Sequence, residues 1–370
     1  MDDKKTGMNQ PAPSLWESNL VHAMRTAFRL SSHPDSRKIL GAIMRNQAAT
    51  AALRHRLQKE GVTVPAILII SATTACNLRC SGCYAGVCSS GIRKEMPLES
   101  LDRIIGEARE LGVSLIMIAG GEPFLRPGLL ETAARHRALP VVVFTNGTMV
   151  SERMELLSAH RNLLPVVSLE GSAEETDRRR GAGVYRQVTE TMQSMRESDL
   201  LFGVSLTATA GNIDSVTDPG YAVKLRELGA RMVFYVEYVP ADPDAPQEPL
   251  SAEQKATLSR RFLKLSRQTG MLCVAFPGDE TPYGGCLASG RGFVHINAAG
   301  GLEPCPFAPF SDRNAVTDGL LEALRSPLLA EVRKNHHMLE EGKGGCALWS
   351  NREWLAALAG NTGCCGKSGD

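Results

Sequence analysis

Ala66-Ile67-Leu68-Ile69-Ile70-Ser71-Ala72-Thr73-Thr74-Ala75-Cys76-Asn77-Leu78-Arg79-Cys80-Ser81-Gly82-Cys83-Tyr84 is the stretch that decides the fold. An apolar run of strand length, Ala66–Ser71, leads into a polar segment with three cysteines in eight residues. Asn77, Ser81 and Gly82 favor irregular backbone over helix, so the segment reads as a loop at a strand end. The CxxxCxxC spacing lets one curled loop bring three thiolates to a common center. Soft thiolates select zinc, copper(I) or iron–sulfur clusters. A structural zinc site wants four nitrogen or sulfur ligands, usually in two separated pairs, and no second CxxC or HxxxH stands elsewhere. Three thiolates suit three corners of a four-iron, four-sulfur cube and leave the fourth iron open to a small molecule. Zinc and unligated thiols are the alternatives.

Outward from this stretch the chain alternates. Short apolar runs fall at Ala66–Ser71, Ser114–Ala119, Pro140–Phe144, Pro165–Leu169, Phe202–Thr207 and Met232–Val239. Helical patterns lie between and after them, near 98–111, 127–138, 151–160, 185–198, 219–229 and 251–269. Six such alternations predict an α/β fold with a parallel sheet and helices outside it. Six units fall short of the eight in a closed barrel, so a partial (β/α)6 TIM-like barrel is expected. Residues 240–249 form a proline-rich loop before the last helix.

The flanks differ in texture. Residues 14–60 read as two helical stretches broken at 31–35, and from Glu17 to Glu60 they carry eight Lys/Arg against three Asp/Glu. A basic amphipathic pair can rest on a membrane surface; the plainer expectation is a solvated face packed on the main domain. Beyond about residue 271, Gly and Cys become frequent. Phe293, His295 and Asn297 alternate with Val294, Ile296 and Ala298, and Gly300-Gly301 supplies a turn, which predicts a hairpin. Three parts are expected: an N-terminal helical extension (1–65), the partial barrel (66–270) and a small C-terminal module (271–370).

Composition sets bounds. The chain has 370 residues, 43% hydrophobic and 22% charged, ample for a large core. A net charge of +1 gives no field for nucleic acid. The polar first residues show no secretory segment, and the apolar runs are too short to span a bilayer. Ten cysteines then suit metal ligation in a cytoplasmic protein better than disulfides.

In parallel α/β folds ligands gather at the carboxyl ends of strands. Four polar signals fall there: the cysteine loop, Gly120-Gly121-Glu122-Pro123, Thr145-Asn146-Gly147 and Ser168-Leu169-Glu170-Gly171. With Cys83-Tyr84 they run in the order of the radical S-adenosylmethionine (radical SAM) enzymes, which residues 66–240 resemble. The resemblance implies a [4Fe-4S] cluster on Cys76, Cys80 and Cys83 whose open iron binds S-adenosylmethionine. It implies cofactor contacts from Tyr84, from Gly120, Gly121, Glu122 and Pro123 at the amino group, and from Ser168 and Glu170 near the ribose or carboxylate. Arg180 falls in a segment similar to a family Asp-x-x-Arg-Gly, and Val239 would pack on adenine. Two positions depart from the family: Gly82 stands where an aromatic residue is common, and Glu170 where Asp is usual. Each position has a bland alternative: Glu122 a helix cap, Asn146 a turn residue, Ser168 a strand-end hydroxyl, Arg178–Arg180 a solvated charge run.

Cys286-x13-Gly300-x4-Cys305, followed by Cys346, resembles the start of the SPASM/twitch modules that bind auxiliary clusters. One auxiliary [4Fe-4S] cluster is expected on Cys286, Cys305 and Cys346, its fourth position left to Cys364, to Cys365 or open to substrate. Three functions compete: a radical enzyme modifying a peptide side chain, one acting on a small metabolite or lipid, and a non-catalytic iron–sulfur carrier. The first lacks an evident β-rich leader-binding domain before residue 66; the second would suit residues 14–60 at a membrane. A flavodoxin or ferredoxin is the expected electron donor.

Overall fold

The computed structural model describes residues 34–275, 285–339 and 346–360. Seven parallel strands follow one another in chain order: β1 (Ile67–Thr73), β2 (Leu115–Gly120), β3 (Val141–Thr145), β4 (Leu163–Leu169), β5 (Gly203–Ala208), β6 (Met232–Glu237) and β7 (Leu272–Ala275). Helices connect them and cover the outer face. Both faces are buried, so the strands are nearly continuous apolar runs. Leu68, Ile70 and Ala72 of β1 join the helix-side core, while Ile69 faces inward. The partial α/β barrel expected from sequence is present, with a seventh strand that the sequence pattern did not resolve.

The predicted hairpin also forms, and it continues the same sheet. β8 (Phe293–Ile296) pairs parallel to the free edge of β1, and β9 (Leu302–Glu303) pairs antiparallel to β8. Gly300 makes the turn at φ +93°, where a Cβ would lie 2.5 Å from Val316 Cγ2. Between these strands runs a buried polar chain. Ser71 Oγ meets His295 Nε2 at 2.7 Å, His295 Nδ1 meets Glu303 Oε2 at 2.7 Å, and Asn297 Nδ2 donates to Glu303 Oε1 at 2.6 Å. Buried polar groups need such partners, and here the partners tie three strands together.

The N-terminal extension is represented by one helix, Pro34–Lys59; residues 14–33 lie outside the described residues. Arg54, 5% exposed, donates to Gly112 O and Thr50 Oγ1, both at 2.6 Å, and Asn46 donates to Ala138 O at 3.1 Å. Gly112 and Ala138 precede β2 and β3, so the helix lies across the amino ends of the strands, opposite the cysteine loop. Arg54→Ala should cost about 1–3 kcal/mol by stranding Gly112 O. Calorimetry should show a lower melting temperature, and iron assay an unchanged iron content. Among the described residues no helix is long and apolar enough to cross a membrane.

Candidate functional site

The cysteine loop leaves β1 and is held at both ends. Thr73 Oγ1 and Thr74 N donate to Glu95 Oε1 at 2.8 and 2.7 Å. Ser81 N donates to Arg179 O at 2.9 Å, and Arg179 Nε returns a bond to Ser81 O at 3.1 Å. Cys76 Sγ accepts from Leu78 N at 3.5 Å and Asn146 Nδ2 at 3.9 Å. Burial pushes the Cys76 and Cys80 thiols up; the Arg180 and Arg179 guanidiniums oppose this at Cys80. All three thiols line one cavity of about 580 Å³, within the usual range for ligand pockets.

The end of β2 lies against this loop. Gly121 N donates to Thr73 O and Glu122 N to Ala75 O, both at 2.7 Å. A Cβ on Gly121 would fall 2.1 Å from Ala75 O, so only glycine fits. Gly120 and Gly121 line the cavity; Glu122 and Pro123 do not. Glu122 is fully buried and accepts three bonds, from Phe124 N (3.0 Å), Thr145 Oγ1 (2.7 Å) and Asn146 N (2.7 Å). Burial pushes its carboxyl up against the pull of those donors. Its bland reading as a cap is realized, and it also ties β2 to β3. Asn146 is more than a turn residue: Nδ2 reaches Asn77 Oδ1 (2.7 Å) as well as Cys76 Sγ, while Oδ1 accepts from Thr148 N (2.9 Å).

The charge run at 178–180 is not solvated throughout. Ser172 and Glu175 form a capping box that starts the helix Ala173–Arg180, and its last turn brings Arg179 and Arg180 inward, at the end where the helix dipole favors cations. Glu170 Oε1 accepts from Arg179 Nη1 (2.5 Å) and Arg180 Nε (2.8 Å) and Nη2 (2.5 Å). Glu170 is 1% exposed, its Oε2 has no partner among the described residues, and it faces a neighboring cavity of about 470 Å³ instead. Arg180, Ser168, Tyr84 and Val239, expected at the cofactor site, line the main cavity. Missed by sequence were Arg179, Ser205, Thr207 and Tyr238. The inward period-two positions of β5, Ser205 and Thr207 between Val204 and Leu206, carried a signal for two of them.

The second cysteine set converges too. Cys286, Cys305 and Cys346 are buried in one cluster. The Cys305 thiol donates to Cys346 and, with the N–H groups of Trp349 and Leu348 and the Lys255 ammonium, holds Cys346 below the usual thiol range against burial. Burial pushes Cys305 far up. The set touches the cavity through Phe307, whose ring packs on Tyr84 with centroids 4.7 Å apart. Cys364 and Cys365 lie outside the described residues. Among the described residues no three His, Cys, Asp or Glu side chains gather at single-ion spacing; the corners of a cluster hold their ligands farther apart. The loop trio, with N–H donors on Cys76 and guanidiniums beside Cys80, fits a four-iron cluster held at three corners.

Residues 70–216 match the model of the radical SAM superfamily. The chain carries a radical SAM domain. It is 28% identical over 313 residues to an AdoMet-dependent heme synthase of Methanosarcina barkeri, covering 77% of this chain and 88% of that protein. It is 27% identical over 324 residues to the mycofactocin maturase MftC of Mycobacterium ulcerans, covering 78% and 84%. Among solved structures, Streptococcus suis SuiB bound to the precursor peptide SuiA superposes with a TM-score of 0.63 at 18% identity, covering 78% of this chain and 71% of SuiB. The radical SAM domain brings a [4Fe-4S] cluster and S-adenosylmethionine.

Proposed function

We propose that this radical SAM enzyme oxidizes a side chain of a peptide. When bound, the loop cluster and S-adenosylmethionine supply a 5′-deoxyadenosyl radical that takes a hydrogen atom from the substrate. The protein's part is to hold the reactants close and dry. Cys76, Cys80 and Cys83 would hold the cluster, Gly120 and Gly121 present backbone to the amino-acid end of the ligand, and Ser168, Ser205 and Val239 line its remaining space. The observation that carries the oxidation is the second thiol set, which abuts the cavity through Tyr84 and Phe307. An auxiliary cluster there would take up the electron that a substrate radical gives up. The maturase relatives support a peptide as substrate, and a flavodoxin or ferredoxin is the proposed donor to the loop cluster.

Two observations favor a second reading, a tetrapyrrole. The heme synthase relative is matched over 88% of its length, and the segment described before β1 is a single helix rather than a small β-rich domain. The lipid reading rests on the basic pattern of residues 14–60, within which Arg54 is committed to the barrel. The deciding experiment supplies anaerobically reconstituted protein with S-adenosylmethionine, dithionite and either short peptides encoded near its gene or iron coproporphyrin III. Stimulated 5′-deoxyadenosine release with loss of hydrogen mass from a peptide is the expected result. Turnover of the porphyrin alone would replace peptide by tetrapyrrole. No release from a chain with intact clusters would leave an electron carrier.

A further inference from the structure

Asn146 follows β3 at the rim of the main cavity and is buried. Its backbone and both ends of its amide are held. Asn146 N donates to Glu122 Oε2 at 2.7 Å. Its Oδ1 accepts from Thr148 N at 2.9 Å and from Thr148 Oγ1 at 2.7 Å. A backbone N–H can only donate, so the amide oxygen must face Thr148 and the amide nitrogen must face the cysteine loop. That nitrogen carries two hydrogens. One serves Asn77 Oδ1 at 2.7 Å, and the other is left for Cys76 Sγ at 3.9 Å. Asn77 Nδ2 donates in turn to Thr148 Oγ1 at 2.9 Å, so Thr148, Asn146 and Asn77 close a ring of side-chain bonds beside one of the three thiols. Pinning the loop to the turn after β3 needs only the bonds within that ring. The hydrogen aimed at sulfur is surplus to that task.

We propose that Asn146 sets the reduction potential of the loop cluster by donating an N–H bond to the sulfur of Cys76. This rests on the radical SAM reading of the loop and adds a residue and a role to it. Thiol sulfur is a weak acceptor, and a thiolate that holds iron is a stronger one. Reduction by one electron adds one negative charge to the cluster and its thiolates. A donor fixed against one of those sulfurs stabilizes the more negative state more than the less negative one, so it raises the potential. Leu78 N, at 3.5 Å from the same sulfur, acts in the same sense. The Leu78 donor travels with the loop itself. The Asn146 donor comes from the neighboring strand end, where the closed ring holds it before any electron arrives.

The test is a redox titration of cluster-loaded full-length protein with dithionite, followed by electron paramagnetic resonance before any S-adenosylmethionine is added. The signal that changes when S-adenosylmethionine is then supplied belongs to the loop cluster. Asn146→Ala, with iron content matched to the native chain, should weaken the hold on the added electron about three- to tenfold, a potential lower by about 30–60 mV. Asn146→Asp, which keeps the size and puts a carboxylate oxygen where the donor stood, should lower it further. Thr148→Val opens the ring and spares the bond to sulfur, so its potential should stay at the native value. An unchanged potential in Asn146→Ala would overturn the proposal, and so would equal shifts in Asn146→Ala and Thr148→Val, because Asn146 would then act only by pinning the loop. A second readout needs no variant. With isotopically labeled nitrogen in the asparagine side chains, pulsed resonance of the reduced native cluster should show one weakly coupled nitrogen, and its absence would overturn the proposal. A native chain whose loop takes up no cluster, or whose spectrum ignores S-adenosylmethionine, would instead bring down the radical SAM reading itself.

Discussion

Alanine at Cys76, Cys80 or Cys83 should reduce 5′-deoxyadenosine formation to background and lower bound iron from about eight to about four atoms per chain, one four-iron cluster lost and one kept. Each of these thiols lines the same cavity, and among the described residues no other cysteine does. Loss of any one leaves a corner of the cube to solvent. The matched control is Cys305→Ser, buried in the other cluster of thiols. It should lose iron by a similar amount and still release 5′-deoxyadenosine, with substrate oxidation uncoupled from that release. Iron assay, electron paramagnetic resonance and product analysis read the three quantities independently. A Cys80→Ala protein that still cleaves S-adenosylmethionine would remove the loop from the chemistry.

The second large effect belongs to a residue that does not line the cavity. Glu122→Ala strands three buried donors at once, Phe124 N, Thr145 Oγ1 and Asn146 N. Each stranded donor carries a desolvation penalty, and together they should cost about 3–5 kcal/mol, a large share of a typical folding stability of about 5–15 kcal/mol. Glu122→Gln keeps the shape but turns one donor toward other donors, so it should fall between the two. Denaturation midpoints rank the three proteins. Because Asn146 also donates to Cys76 Sγ, iron content should fall along with stability. Equal midpoints for all three would mean that Glu122 does not hold β2 and β3 together.

These two residue sets show where sequence reading reaches and where it stops. The three cysteines were legible because their ligand chemistry is local: eight residues of one loop contain the spacing and the backbone freedom. The barrel was legible because its strands are buried on both faces and repeat at regular intervals. β7 escaped because it is four residues long and lies just where the composition shifts. Glu122 stood in a recognizable motif, yet its partners come from β3, and only the approach of two strands shows that its oxygens are occupied. Arg179 and Arg180 looked like solvent-facing charge until Glu170, nine residues before the first of them, turned out to be buried beneath them.

The pairing of β8 with β1 has a consequence for how the protein comes apart. A module joined only by a linker can melt alone and leave its neighbor standing. Here the strand that delivers Cys76 and the hairpin that delivers Cys305 share backbone bonds and a buried Ser71–His295–Glu303 link. Their amides should exchange as one cooperative unit, so a disturbance that loosens either cysteine-bearing region should expose the other to solvent and oxygen in the same event.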